Sequence, residues 1–150
     1  MKTEDIEETI LKNSSEAARL HTAVHETHRR RNESVEAHKA WTQAAQEFRD
    51  KYDNLAFPGG YEGALERVAS GDPLAMEAAI CFLELRPYFY HSGYMFKDLL
   101  RKSRKAPLST EQKLRLEVIE AAVSEWRKEK LSVETFSTSS HSSRISPHGK

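Results

Sequence analysis

The sequence predicts an all-α fold: a compact helical bundle or a short stack of helical hairpins, ending in a disordered tail. Three observations carry this. Helix formers dominate and no segment alternates apolar and polar residues over six positions, so a strand pattern is missing. Glycine and proline are confined to a few points that cut the chain into helix-length pieces. Two capping signatures mark helix starts, at Asp72-Pro73 and at Ser109-Thr110-Glu111-Gln112.

The opening MKTEDIEETI carries four acids in its first eight residues, where a signal peptide needs a basic start and an apolar run. No apolar stretch of about 18 residues occurs. The expectation is a soluble cytoplasmic protein with no membrane partner. Across residues 1–57 the helical phase shifts. Ala17, Val24 and Val35 point one way, while Trp41, Ala45, Phe48 and Tyr52 point about 100° away. One straight helix does not present both as a single face, which places a break near Arg31-Asn32-Glu33-Ser34, with Asn32 or Ser34 as cap.

Pro58-Gly59-Gly60 reads as an interhelical turn; it lacks the Lys-Ser or Lys-Thr and the preceding strand that a phosphate loop requires. From Tyr61 to Leu100 the apolar content is densest, through Leu65, Val68, Met76, Ile80, Phe82, Leu83, Leu85, Tyr88, Phe89, Tyr94, Met95, Phe96, Leu99 and Leu100, and this is the expected core. Cys81, the sole cysteine, sits inside that run as a small apolar group, consistent with a reducing compartment. Arg86-Pro87, Ser92-Gly93 and Ala106-Pro107 divide the remainder. The capping box at Ser109 opens a helix expected to reach about Leu131. Pro73-Leu74 and Pro107-Leu108 lie 34 residues apart and share a glutamate at one offset, Glu77 and Glu111, but the similarity ends there and establishes no repeat. From Ser132 the chain turns to serine and threonine with little apolar mass, a composition too poor in buriable surface to offset its ordering entropy. The domain reading is therefore a helical domain over 1–131, with N-terminal helices in 1–57 and a helical core in 61–131, and a flexible tail over 132–150. Five to seven helices are expected.

Lysine plus arginine equal aspartate plus glutamate at 23 each, so nothing in the total charge draws the chain onto nucleic acid or anionic lipid. Function must reside in local patches, and two stand out. LHTAVHETHRRR, residues 20–31, places His21, His25 and His28 within an arc of about 60° on a helix. Imidazoles one turn apart can share a zinc ion, but the span of His21 to His28, about 10.5 Å, requires ligands from elsewhere. The glutamate-containing His-x-x-x-His arrangement of metal-activated hydrolysis is lacking. These histidines carry two further readings: half-buried residues against a neighbouring helix, or a pH-dependent surface beside Arg29, Arg30 and Arg31.

The second patch is RPYFYHSGYMFKDLLRKSRK, residues 86–105, where aromatics interleave with cations. Tyrosine beside arginine is the composition of protein-binding hot spots, and rings beside cations also suit single-stranded nucleic acid, which the neutral total charge disfavours. A core role for the apolar members and a dipole role for the terminal cations is the competing structural explanation. His91-Ser92 is not a catalytic pair, because adjacent residues rarely face one another. No other catalytic motif is found. The expectation is a non-catalytic, cofactor-free module that binds another protein as an adaptor, an inhibitor or immunity-type protein, or a regulatory subunit. Its expected binding surface is Tyr88, Tyr90, His91, Tyr94, Arg101 and Lys102. Alternatives are a metal- or pH-responsive protein using His21, His25 and His28, with zinc as cofactor, and a nucleic-acid-binding accessory protein. Pairing of two copies through the N-terminal helices is a further expectation.

Overall fold

The structure, a computed structural model, describes residues 2–87, 89 and 92–145, those from 133 onward by backbone alone. Among the described residues there are six helices and no strand: α1 (Thr3–Arg30), α2 (Val35–Ala56), α3 (Ala64–Ser70), α4 (Pro73–Leu85), α5 (Ser92–Lys105) and α6 (Thr110–Ile145). They fall into two compact units, Met1–Lys113 and Leu114–Lys150.

The break predicted within the first 57 residues is real. α1 ends at Arg30, and Ser34 caps α2, its Oγ accepting from the Ala37 amide at 3.0 Å. The two helices form a hairpin whose seam on α1 recurs at steps of four and three: Ile6, Ile10, Asn13, Ala17, Leu20, Val24 and Thr27. That is the spacing of a coiled-coil seam. Ile6, Ile10, Ala17 and Leu20 are buried, whereas Val24 and Thr27 are only half-buried. Val35, expected on the same stripe as Ala17 and Val24, is 66% exposed. It is the first residue of α2, so the break resets its phase.

The turn after α2 is held by polar groups. Gly59 and Gly60 take positive φ, Asp53 Oδ1 accepts from the Glu62 amide at 2.8 Å, and the Arg67 guanidinium donates to the carbonyls of Gly60 at 2.7 Å and Glu62 at 3.0 Å. Arginine has five donors in a fixed fork and suits such a cluster of carbonyls. Asp72 caps α4 through the Ala75 amide at 2.9 Å with Pro73 in the first turn. α4 is the centre of the first unit. Ala75, Met76 and the run Ala78–Leu83 are all buried, Cys81 among them, and the helix packs against α1, α3 and α5. Phe82 stacks on Phe89 at 6.1 Å and meets Phe57 at 6.5 Å, three rings that anchor the core. The core thus takes Val68, Met76, Ile80, Phe82, Leu83, Phe89, Met95, Leu99 and Leu100 from the run expected over 61–100 and adds Ile6, Ile10, Leu20 and Phe57. Leu65, Leu85 and Phe96 are only half-buried, Tyr94 is 70% exposed because its helical phase turns it away from the buried side of α5, and Tyr88 lies outside the described residues.

One carboxylate joins three elements. Glu77 of α4 accepts from Thr3 Oγ1 at 3.0 Å, from Gln112 Nε2 at 3.0 Å and from Cys81 Sγ at 3.6 Å. Gln112 belongs to the capping box that opens α6: its amide donates to Ser109 Oγ at 3.1 Å and its Oε1 accepts from the Ser109 amide at 3.0 Å. In the second unit, Leu116, Ile119 and Val123 form a buried stripe. α6 continues to Ile145, past the end expected near Leu131, and the side chains of the tail expected over 132–150 lie outside the described residues from 133 onward. No helix among the described residues is long and apolar enough to cross a membrane.

Candidate functional site

α5 carries the second of the two patches. Its residues sort cleanly by phase: Met95, Leu99, Leu100 and Ser103 are buried, and Tyr52 Oη reaches Met95 Sδ at 4.0 Å. With that side committed to the core, the opposite arc, about 160° wide on a helical wheel, holds Tyr94, Lys97, Asp98, Arg101, Lys102, Arg104 and Lys105. Tyr94 is 70% exposed at the centre of this arc. Arg101 lies two turns further along the same stripe and donates through Nη2 to Asp98 Oδ1 at 3.3 Å. Lys102 is half-buried at the edge of the arc. Asp98 also acts inward, for Tyr61 is held above its ordinary pKa first by burial and then by the Asp98 carboxylate.

Of the surface residues expected from sequence, the structure brings Tyr94 and Arg101 onto one stripe with Lys102 beside them, while Tyr88, Tyr90 and His91 lie outside the described residues. Lys97 and Lys105 belong to the same arc as Tyr94, and the sequence selection omitted them. A helical wheel begun at Ser92 places them there. Immediately before this segment, Arg86 ends α4 in the left-handed region, φ +49°, with its guanidinium over the Phe96 ring at 5.8 Å. A non-glycine residue there costs about 1–2 kcal/mol and persists only where its surroundings impose it.

The histidine stripe meets α2. His21 and His25 stand edge to face at 4.5 Å, and His21 lies 5.5 Å from Phe48. His28 and His38 approach Trp41 at 5.4 Å and 5.5 Å, and the Arg31 guanidinium lies over the same indole at 5.8 Å. Arg31 Nη1 donates to the His28 carbonyl at 2.6 Å and to His28 Nδ1 at 3.2 Å. Arginine only donates, so Nδ1 is the acceptor and the proton of the neutral ring resides on Nε2. Burial first, and then the neighbouring His25, hold His21 below its ordinary pKa. Helix α2 thus meets the stripe with Phe48 and Trp41. Among the described residues no group of three or more His, Cys, Asp or Glu side chains is placed to hold a metal ion.

Comparisons of the chain with protein-family models, with curated proteins and with solved structures find no match. The functional reading therefore rests on the geometry above.

Proposed function

We propose that this chain is a non-catalytic binding module whose partner is another protein, and that the outward arc of α5 is the surface it presents. The observation that supports this reading is Tyr94: a large aromatic 70% exposed, flanked by lysine and arginine, on a helix whose other face is locked into the core. An amphipathic ring on a rigid element loses little conformational entropy on binding, and tyrosine with arginine supplies most hot-spot energy in protein interfaces. An adaptor, an inhibitor or a regulatory subunit, working in a reducing cytoplasm, fits this surface equally.

The test is a tagged pull-down of the full chain and of Tyr94→Ala from the native host, each with and without nuclease and zinc chelator. A defined protein recovered under all conditions by the wild type, and lost with Tyr94→Ala at unchanged melting temperature, is the expected result. Recovery that nuclease or chelator abolishes, or that Tyr94→Ala leaves intact, overturns the reading.

One arrangement favours a second reading, a response to pH: His21, held below its ordinary pKa first by burial and then by His25, stands edge to face with the His25 ring at 4.5 Å and 5.5 Å from Phe48 of α2. The groups beside His21 are His25 and, from α2, Phe48, with the Glu47–Lys51 pair adjacent to Glu16 and Arg19.

A further inference from the structure

We infer that the segment seated on α5 is an acidic amphipathic helix of the partner protein. This rests on the protein-binding reading above and names the chemistry of the partner. In a chain whose formal charges cancel, the fourteen residues of α5 hold Lys97, Arg101, Lys102, Arg104 and Lys105 against the single acid Asp98. This concentration is not spread around the helix, because Met95, Leu99, Leu100 and Ser103 occupy the inner side. Every charge falls on the outward arc.

Spacing then selects the ligand. Lys97, Arg101 and Arg104 or Lys105 recur at steps of one helical turn over a stripe which, counted from Tyr94, is about 16 Å long. Carboxylates at steps of three and four on a second helix match that repeat, and an apolar residue at one end of the acidic stripe meets the Tyr94 ring. A phosphate backbone is the competing anionic ligand; Asp98, paired with Arg101 at 3.3 Å, leaves an excess of four cations on the arc for either, and the oligonucleotide in the test below separates them. A lipid surface fits worst, since a membrane-lying helix inserts a broad apolar face and that of α5 is buried. Tyr94 is the one large apolar side chain that α5 exposes among the described residues.

The experiment measures fluorescence anisotropy of labelled probes titrated with the full chain. The probes are a synthetic amphipathic helix with glutamate along its polar face, the same peptide with glutamine for glutamate, and a single-stranded oligonucleotide of matched length. Phosphatidylserine vesicles are tested by co-sedimentation. Expected are binding of the glutamate peptide, at least about tenfold weaker binding of the glutamine peptide, and a similar loss in Arg101→Glu/Lys105→Glu, whose fold is checked by circular dichroism. Equal binding of the two peptides, or a double variant that binds like wild type, overturns the acidic assignment while the protein-binding reading stands. Failure of the glutamate peptide to bind also overturns that assignment, and the Tyr94→Ala pull-down then decides the wider reading. Tighter binding of oligonucleotide or vesicle than of either peptide overturns both.

Discussion

Glu77 offers the sharpest test of how the first unit is held together. Replacing it with alanine removes the acceptor for Thr3 Oγ1 and Gln112 Nε2, both at 3.0 Å, and for the weak Cys81 thiol donor at 3.6 Å. Hydrogen bonds to an ionised group contribute about 1.5–3 kcal/mol each. Thr3, Glu77 and Gln112 are only half-buried, so the low end applies and the two strong bonds together are worth about 3 kcal/mol. Water recovers part of this at the released donors, and alanine adds a few tenths of a kcal/mol of helix propensity. The expected net cost is about 2 kcal/mol, and Glu77→Gln, which keeps an acceptor but turns a donor toward Gln112, is expected to cost about half as much. Urea unfolding followed by far-UV circular dichroism measures both. A double-mutant cycle with Gln112→Ala should show a coupling of about 1 kcal/mol. A Glu77→Ala stability within about 0.3 kcal/mol of wild type, or additivity in the cycle within about 0.5 kcal/mol, refutes the claim that this carboxylate ties α1 and the start of α6 to α4.

Three further outcomes follow from single sites. Ser103 Oγ is fully buried with no hydrogen-bond partner among the described residues, so Ser103→Ala should stabilise by about 1 kcal/mol and raise the melting temperature by about 2–4 °C in calorimetry; a decrease points to an unseen acceptor. Gly71 has φ +90°, and a β-carbon there lies 2.8 Å from Pro107 Cγ; Gly71→Ala should cost at least about 2 kcal/mol, and a change below about 0.5 kcal/mol in urea unfolding contradicts the geometry. Because the folded pKa of His21 is depressed, its contribution is fully present above the unfolded value of about 6.5 and is lost as pH falls through the folded value. His21→Ala should accordingly flatten the pH dependence of the urea midpoint over that window, and a midpoint profile that the substitution leaves unchanged contradicts the assignment.

Legibility in the sequence follows the range of the interaction that decides each feature. Ser34, Asp72 and Ser109 with Gln112 were readable as caps because a cap involves amides two or three residues away, and each makes the expected bond. The exposure of Tyr94 and Arg101 was foreseeable from a single helix phase. Glu77 was noticeable only as a weak echo of Glu111, since its partners lie 74 and 35 residues distant. Ile6 and Ile10 were hidden among the acids of the opening segment, although their spacing to Ala17 and Leu20 carries the seam. The histidines were the hardest to place. Their arc was evident, but what it packs against depended on the register of α2, which brings Trp41 and Phe48 to it.

The two candidate sites differ in rigidity, and this bears on what each can do. α5 is fixed by Met95, Leu99 and Leu100, all buried against elements that also hold Phe82 and Phe89. The backbone positions of its outward cations are therefore fixed, so binding has to order only their side chains and not the helix that spaces them. The distal half of the α1–α2 hairpin has no comparable core. Between Leu20 and Ala56 no residue of either helix is fully buried, and the tip is held by Trp41 sandwiched among His28, His38 and Arg31. Few buried apolar contacts mark a segment that opens locally at low cost. A pH-dependent change needs such a segment, because titration of the single imidazole of His21 supplies only a small free energy. Recognition of a partner through charge spacing needs the opposite. On the reading proposed above, recognition falls to the stiff element and the pH response to the soft one, so acid should loosen the hairpin while leaving the spacing of the α5 cations unchanged.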